Sequence, residues 1–163
     1  IRTIDLSTGK VATLTIQGLK PPKEVVAIPK FAGASRITLK PQQVAAQNGQ
    51  ISLRVQFALP TGWKINPLAP MKFYLAKESK DGVLALDSIA VRKLDKPAAT
   101  FSFTVPVKSN GKDTLRVAME YYYCQDIGQF GGVCKIGSVV FRVPLDVSPT
   151  GAKGIALPHK IVP

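Results

Sequence analysis

Residues 115–147 read LRVAMEYYYCQDIGQFGGVCKIGSVVFRVPLDV, and this stretch decides the fold. Leu115, Val117, Met119, Tyr121 and Tyr123 alternate with Arg116, Ala118, Glu120 and Tyr122. After a Gly-rich interval, Val139, Phe141, Val143, Leu145 and Val147 alternate with Val140, Arg142, Pro144 and Asp146. A period of two with one apolar face is the pattern of a half-buried strand. Two such strands flanking residues 125–133, with Cys124 and Cys134 at the ends of the loop, predict an antiparallel hairpin that a disulfide closes or can close. Cys124 shares the parity of Arg116, Glu120 and Tyr122, and Cys134 that of Arg142, so both sulfurs are expected on the less apolar face. Residues opposed across such a pair have Cβ atoms about 4.5–5.5 Å apart, close to the roughly 3.5–4.5 Å of a disulfide.

Outward from the hairpin, further strands are expected. Residues 51–59 place Ile51, Leu53, Val55 and Phe57 on one side and Ser52, Arg54 and Gln56 on the other, after an Asn48-Gly49 turn signal. Residues 99–107 alternate likewise through Phe101, Phe103, Val105 and Val107. Residues 36–39, ended by Pro41, and residues 72–76 and 83–91 are shorter candidates, while 61–70 (TGWKINPLAP) reads as a loop. Short strands at turn-punctuated intervals, with no long helical periodicity, predict an all-β, immunoglobulin-like antiparallel β-sandwich.

The division of the chain follows. Residues 1–17 form a short hairpin around Ser7-Thr8-Gly9-Lys10, residues 18–35 a Pro-rich linker, residues 36–149 the sandwich and residues 150–163 a tail rich in Pro, Gly and Lys. The start at Ile1 reads as a fragment or a processed product.

Composition excludes several classes. At 163 residues and 45% apolar content the chain buries one full core. No window holds the 18 or so apolar residues that a membrane-spanning helix needs. The net charge is +12, but Lys and Arg occur singly or in pairs rather than clustered, which reads as a solvated basic surface rather than a nucleic-acid stripe. Such a surface attracts acidic partners. There is no phosphate loop, dinucleotide fingerprint or carboxylate pair in a recognisable setting, so no cofactor and no hydrolase or transferase apparatus is expected. Two cysteines and a distant His159 fall short of a zinc set.

Cys124 and Cys134 are the only constellation with reactive chemistry, and three readings stand: a structural staple, a pair cycling between dithiol and disulfide, or two unbridged thiols. Thiolate character decides reactivity; Lys135 beside Cys134 favours it, and Glu120 and Asp126 near Cys124 oppose it. Tyr122, on the cysteine face, shields the sulfurs, contacts a partner or simply packs. Phe130, between Gly128 and Gly131-Gly132, either tucks over the bridge or is offered to a partner. Trp63 is read as a plug at one end of the sandwich, and His159 has no assigned role. Carbohydrate stacking has little to work with at 7% aromatic content.

Residues 1–14, IRTIDLSTGKVATL, resemble the last strands of an NHL-type β-propeller blade. The Pro linker, then ISLRVQFALPTGWKINPLAP, then LRVAMEYYYC and CKIGSVVFRVPLDV, resemble the C-terminal β-rich domain of proteins that join a thioredoxin-like domain to an NHL propeller. More distantly, that domain is similar to the N-terminal immunoglobulin-like domain of the thiol:disulfide interchange protein DsbD family, which carries a redox cysteine pair on a hairpin. The resemblance implies that Cys124 and Cys134 exchange electrons with a thioredoxin-like or NHL propeller domain of the same or another chain, in a periplasmic or extracellular setting. Here the cysteine spacing is longer, no Gly precedes Cys124, and Lys135-Ile136 follows Cys134 where Tyr-Pro stands in that family.

Overall fold

The computed structural model describes residues 2–13, 28–126 and 132–162. Its strands are β1 (Arg2–Ile4), β2 (Val11–Thr13), β3 (Ser35–Thr38), β4 (Gln42–Val44), β5 (Gln50–Ala58), β6 (Trp63–Ile65), β7 (Met71–Lys77), β8 (Ala90–Leu94), β9 (Thr100–Pro106), β10 (Gly111–Gln125), β11 (Cys134–Val147) and β12 (Ile155–Lys160). β1 and β2 form a hairpin of their own, in which Gly9 takes a left-handed φ of 68° and the Asp5 carboxylate accepts from Ser7 and Thr8.

The rest is a two-layer β-sandwich. The larger sheet runs β3-β11-β10-β7-β8, with β4 continuing beside β11 and β6 beside β10; the smaller runs β12-β5-β9. The alternation of the sequence becomes the core. Leu115, Val117 and Met119 of β10, Val139, Phe141 and Val143 of β11, and Ile51, Leu53 and Val55 of β5 are all fully buried. Aromatic rings lock the layers: Phe73 of β7 meets Phe103 of β9 at 4.9 Å, and Phe57 of β5 meets Tyr121 of β10 at 4.7 Å between centroids.

Several expectations are corrected. Pairing is mixed: β3 and β4 run parallel to β11, and β12 runs parallel to β5. Pro41 falls between β3 and β4, where it interrupts the ladder along β11 without cutting the sheet. The expected strand at 83–91 is one bridge, Leu84 to Val107, followed by β8 from Ala90. The expected loop at 61–70 contains β6, which pairs with the end of β10.

The largest correction concerns the expected tail at 150–163. Ile155, Leu157, His159 and Ile161 are all buried, because β12 is an edge strand of the smaller sheet and those side chains alternate inward. Ile161 N–H bonds the Ala58 carbonyl at 2.9 Å. In a parallel ladder the residues bonding one neighbour alternate, so Pro158 falls on the outward edge, where the missing N–H costs nothing.

Candidate functional site

The hairpin runs in register from Gly111↔Val147 to Cys124↔Cys134. That register follows from the burial of every odd residue from 113 to 123, since a slip of one would turn the whole set to solvent. The two cysteines are direct partners with Cα atoms 4.0 Å apart, and they are bonded as a disulfide. Just beyond them Gln125 N–H donates to the Val133 carbonyl at 3.0 Å, closing the ladder at the loop. Cys134 is exposed and Cys124 half-buried. Both lie on the outer face of the larger sheet, as their parity requires.

The neighbours of the sulfurs differ from the expected set. Cys124 is the ladder partner of Lys64 of β6, within the stretch 61–70 whose sequence reads as a loop. The Lys64 ammonium contacts the Asp126 carboxylate at 2.6 Å, and both side chains are more than half exposed. Lys135 does not join this group. Its parity is that of Tyr123, its ladder partner, and its ammonium sits 5.6 Å from the centroid of Trp63 in a cation–π contact on the opposite face. Trp63 in turn packs on Tyr123 at 5.2 Å, so this end of the sandwich is plugged as expected.

Tyr122 lies on the sulfur-bearing face, but its hydroxyl donates to Glu120 Oε1 at 3.1 Å, back along the strand and away from Cys124. That hydrogen bond, and secondarily the Glu120 charge, raises the Tyr122 pKa above its ordinary value. Tyr122 and Glu120 line a shallow groove of about 360 Å³ together with Phe31, Lys72 and Tyr74. Phe130 lies outside the described residues. Among the described residues there is no group of three His, Cys, Asp or Glu side chains that could hold a metal ion.

His159, which has no role assigned from the sequence, is a polar residue inside the core. Its Nε2 is 2.7 Å from the Tyr121 hydroxyl, and its ring stands edge-on to Phe57 and Phe141. Burial lowers the His159 pKa, which favours the neutral ring. Tyr121 is pushed up to about 12, first by burial and then by Tyr123, so its hydroxyl stays protonated. Gly137, the ladder partner of Tyr121, leaves the space in which this ring lies; a Cβ there would fall on the ring.

No protein-family model matches the chain, and no curated protein sequence matches it.

The chemistry available at the hairpin end is that of an accessible disulfide. One cysteine is exposed, the other is half-buried, and a lysine stands on the strand next to the half-buried one.

Proposed function

We propose that this chain is an accessory β-sandwich domain of a thioredoxin-like/NHL-repeat protein and exchanges electrons with a thioredoxin-like partner through Cys124 and Cys134. The observation that carries the reading is the exposure of Cys134 on the open face of the sheet, bridged to a half-buried Cys124.

The partner's thiolate attacks Cys134 Sγ. An S–S bond forms between partner and Cys134, the Cys124–Cys134 bond breaks, and Cys124 leaves as a thiolate with Lys64 on the neighbouring strand. The partner's second cysteine loses its proton and attacks the partner's own sulfur, which releases Cys134 as a thiolate. The partner is oxidised to its disulfide and the domain is reduced to the dithiol. Run in reverse on the reduced domain, the same steps pass the electron pair onward.

The resemblance of residues 1–14 to the end of a propeller blade is supported by the β1–β2 hairpin, whose Ile4, Leu6 and Val11 are exposed as if awaiting neighbouring strands. A disulfide in the domain fits a periplasmic or extracellular setting.

The test is a titration of the bridge against graded glutathione and thioredoxin couples, read by mass. The reading expects reduction at roughly −200 to −270 mV, the range of glutaredoxins and thioredoxin. It also expects a thioredoxin-like partner whose second cysteine is replaced by Ser to accumulate a mixed disulfide at Cys134, and the Cys124→Ser variant, which has no bridge to reduce, to lose reductase-coupled turnover. Unchanged turnover in that variant sinks it. A second reading, a non-catalytic interaction module stapled by a structural disulfide, is favoured by the unbroken register that leads into the bridge. It predicts a potential below about −300 mV.

A further inference from the structure

The outer face of the larger sheet carries a cluster of guanidinium groups away from the disulfide. Arg116 of β10 and Arg142 of β11 are direct ladder partners. Thr38 of β3 extends the row on one side and Ala76 of β7 on the other. One step along, Arg36 of β3 is the partner of Val140. Val140 is 7% exposed although it points outward, so it forms a covered apolar floor between the arginines. Arg36, Arg116 and Arg142, with Ile37, Thr38 and Glu78, line a concavity of about 230 Å³ over that floor.

Like charges directly opposite each other on neighbouring strands destabilise a sheet. Here the compensation is incomplete. Glu78 takes Arg142 alone, with Nε at 2.9 and 3.1 Å and a terminal nitrogen at 2.8 Å from its carboxylate. Arg36 and Arg116 form no ion pair among the described residues. Three guanidiniums against one carboxylate leave two positive charges, and guanidinium presents planar forked donors suited to tetrahedral oxyanions. We infer that this concavity is a binding site for a small dianionic phosphate group, either inorganic phosphate or the phosphate of a monoester, held chiefly by Arg116 and Arg36.

The experiment is calorimetric titration of the full 163-residue chain with inorganic phosphate and, separately, with O-phosphoserine, both at low ionic strength. Sodium chloride at matched ionic strength is the control for the net charge of +12. Saturable one-to-one binding is expected, weakened at least tenfold by Arg116→Gln and by Arg36→Gln and unchanged by Lys153→Gln, which lies elsewhere on the surface. Arg116→Lys, which keeps the charge and loses the fork, is expected to bind with intermediate affinity. Tighter binding of O-phosphoserine than of phosphate identifies a monoester as the ligand, and the reverse order identifies free phosphate. Binding no stronger than the chloride control, or equally weakened by Lys153→Gln, overturns the inference. If Arg116→Gln fails to fold, the exposed Arg36 carries the same test.

Discussion

His159 is the only histidine in the chain, and it is buried against Tyr121, Phe57 and Phe141. That makes its titration readable. Its folded pKa lies below the unfolded value near 6.5 because burial disfavours the cation. The unfolded chain therefore binds a proton that the folded chain does not, in the window between the two values. Stability is full above about pH 6.5 and declines as pH falls below it toward the depressed folded pKa. Chemical denaturation at pH 7.5 and at pH 5.5 should show lower stability at the acid value. His159→Gln should flatten that slope, since carboxylates titrate mostly below this window; a slope unchanged in the variant would place its origin elsewhere. The ring of Tyr121 depends in turn on Gly137. Gly137→Ala puts a methyl group onto that ring and should cost roughly 1–3 kcal/mol by overpacking. A midpoint shift below ~0.3 kcal/mol in the same assay would mean that the ring finds another place to lie.

The strands differ in how openly the sequence announces them, and β12 shows why. β5, β9, β10 and β11 alternate over seven or more residues, so a period of two suffices to place each one and to choose its buried face. β12 also alternates, through Ile155, Leu157 and His159, with Ile161 continuing the pattern just past its end, but a titratable residue sits at one inward position and Pro158 interrupts the outward ones. Local composition therefore argues for a tail, and only the vacant edge of β5 turns the segment into a strand. Parallel pairing is silent at this level too, because period two says which face is buried and not which strand lies alongside. The candidate site inherits both limits. The outward direction of Cys124 and Cys134 follows from parity within their own strands. Lys64 becomes the neighbour of Cys124 only when β6 pairs with β10, and Lys135 is drawn to the opposite face by the same parity that fixed the cysteines. If β12 is integral, its side chains should carry core-sized energies. Leu157 is fully buried, and Leu157→Ala should cost about 2–5 kcal/mol in urea unfolding. A cost under ~1 kcal/mol would return the segment to the status of a tail.

Charge is the property that belongs to the molecule as a whole. Twenty-two basic residues face ten acidic ones. The ion pairs among the described residues are Lys64–Asp126, Lys93–Asp95, Lys108–Asp87 and Arg142–Glu78, all substantially exposed and so individually weak. Against them stand like-charge ladder partners, Arg116 with Arg142 and Lys72 with Lys93, and the long-range repulsion of the excess positive charge. If repulsion outweighs these pairs, salt should stabilise the fold. Raising ionic strength from about 0.01 M to 0.15 M shortens the screening length from roughly 30 Å to 8 Å. That change screens repulsion across the whole sandwich while leaving contacts at 3 Å less affected. The melting temperature in sodium chloride should therefore rise, by a shift on the order of a few degrees for a chain of this size. A fall with added chloride would mean that the four surface pairs dominate instead. The same screening should slow association with an acidic partner, so salt is expected to move stability and encounter rate in opposite directions.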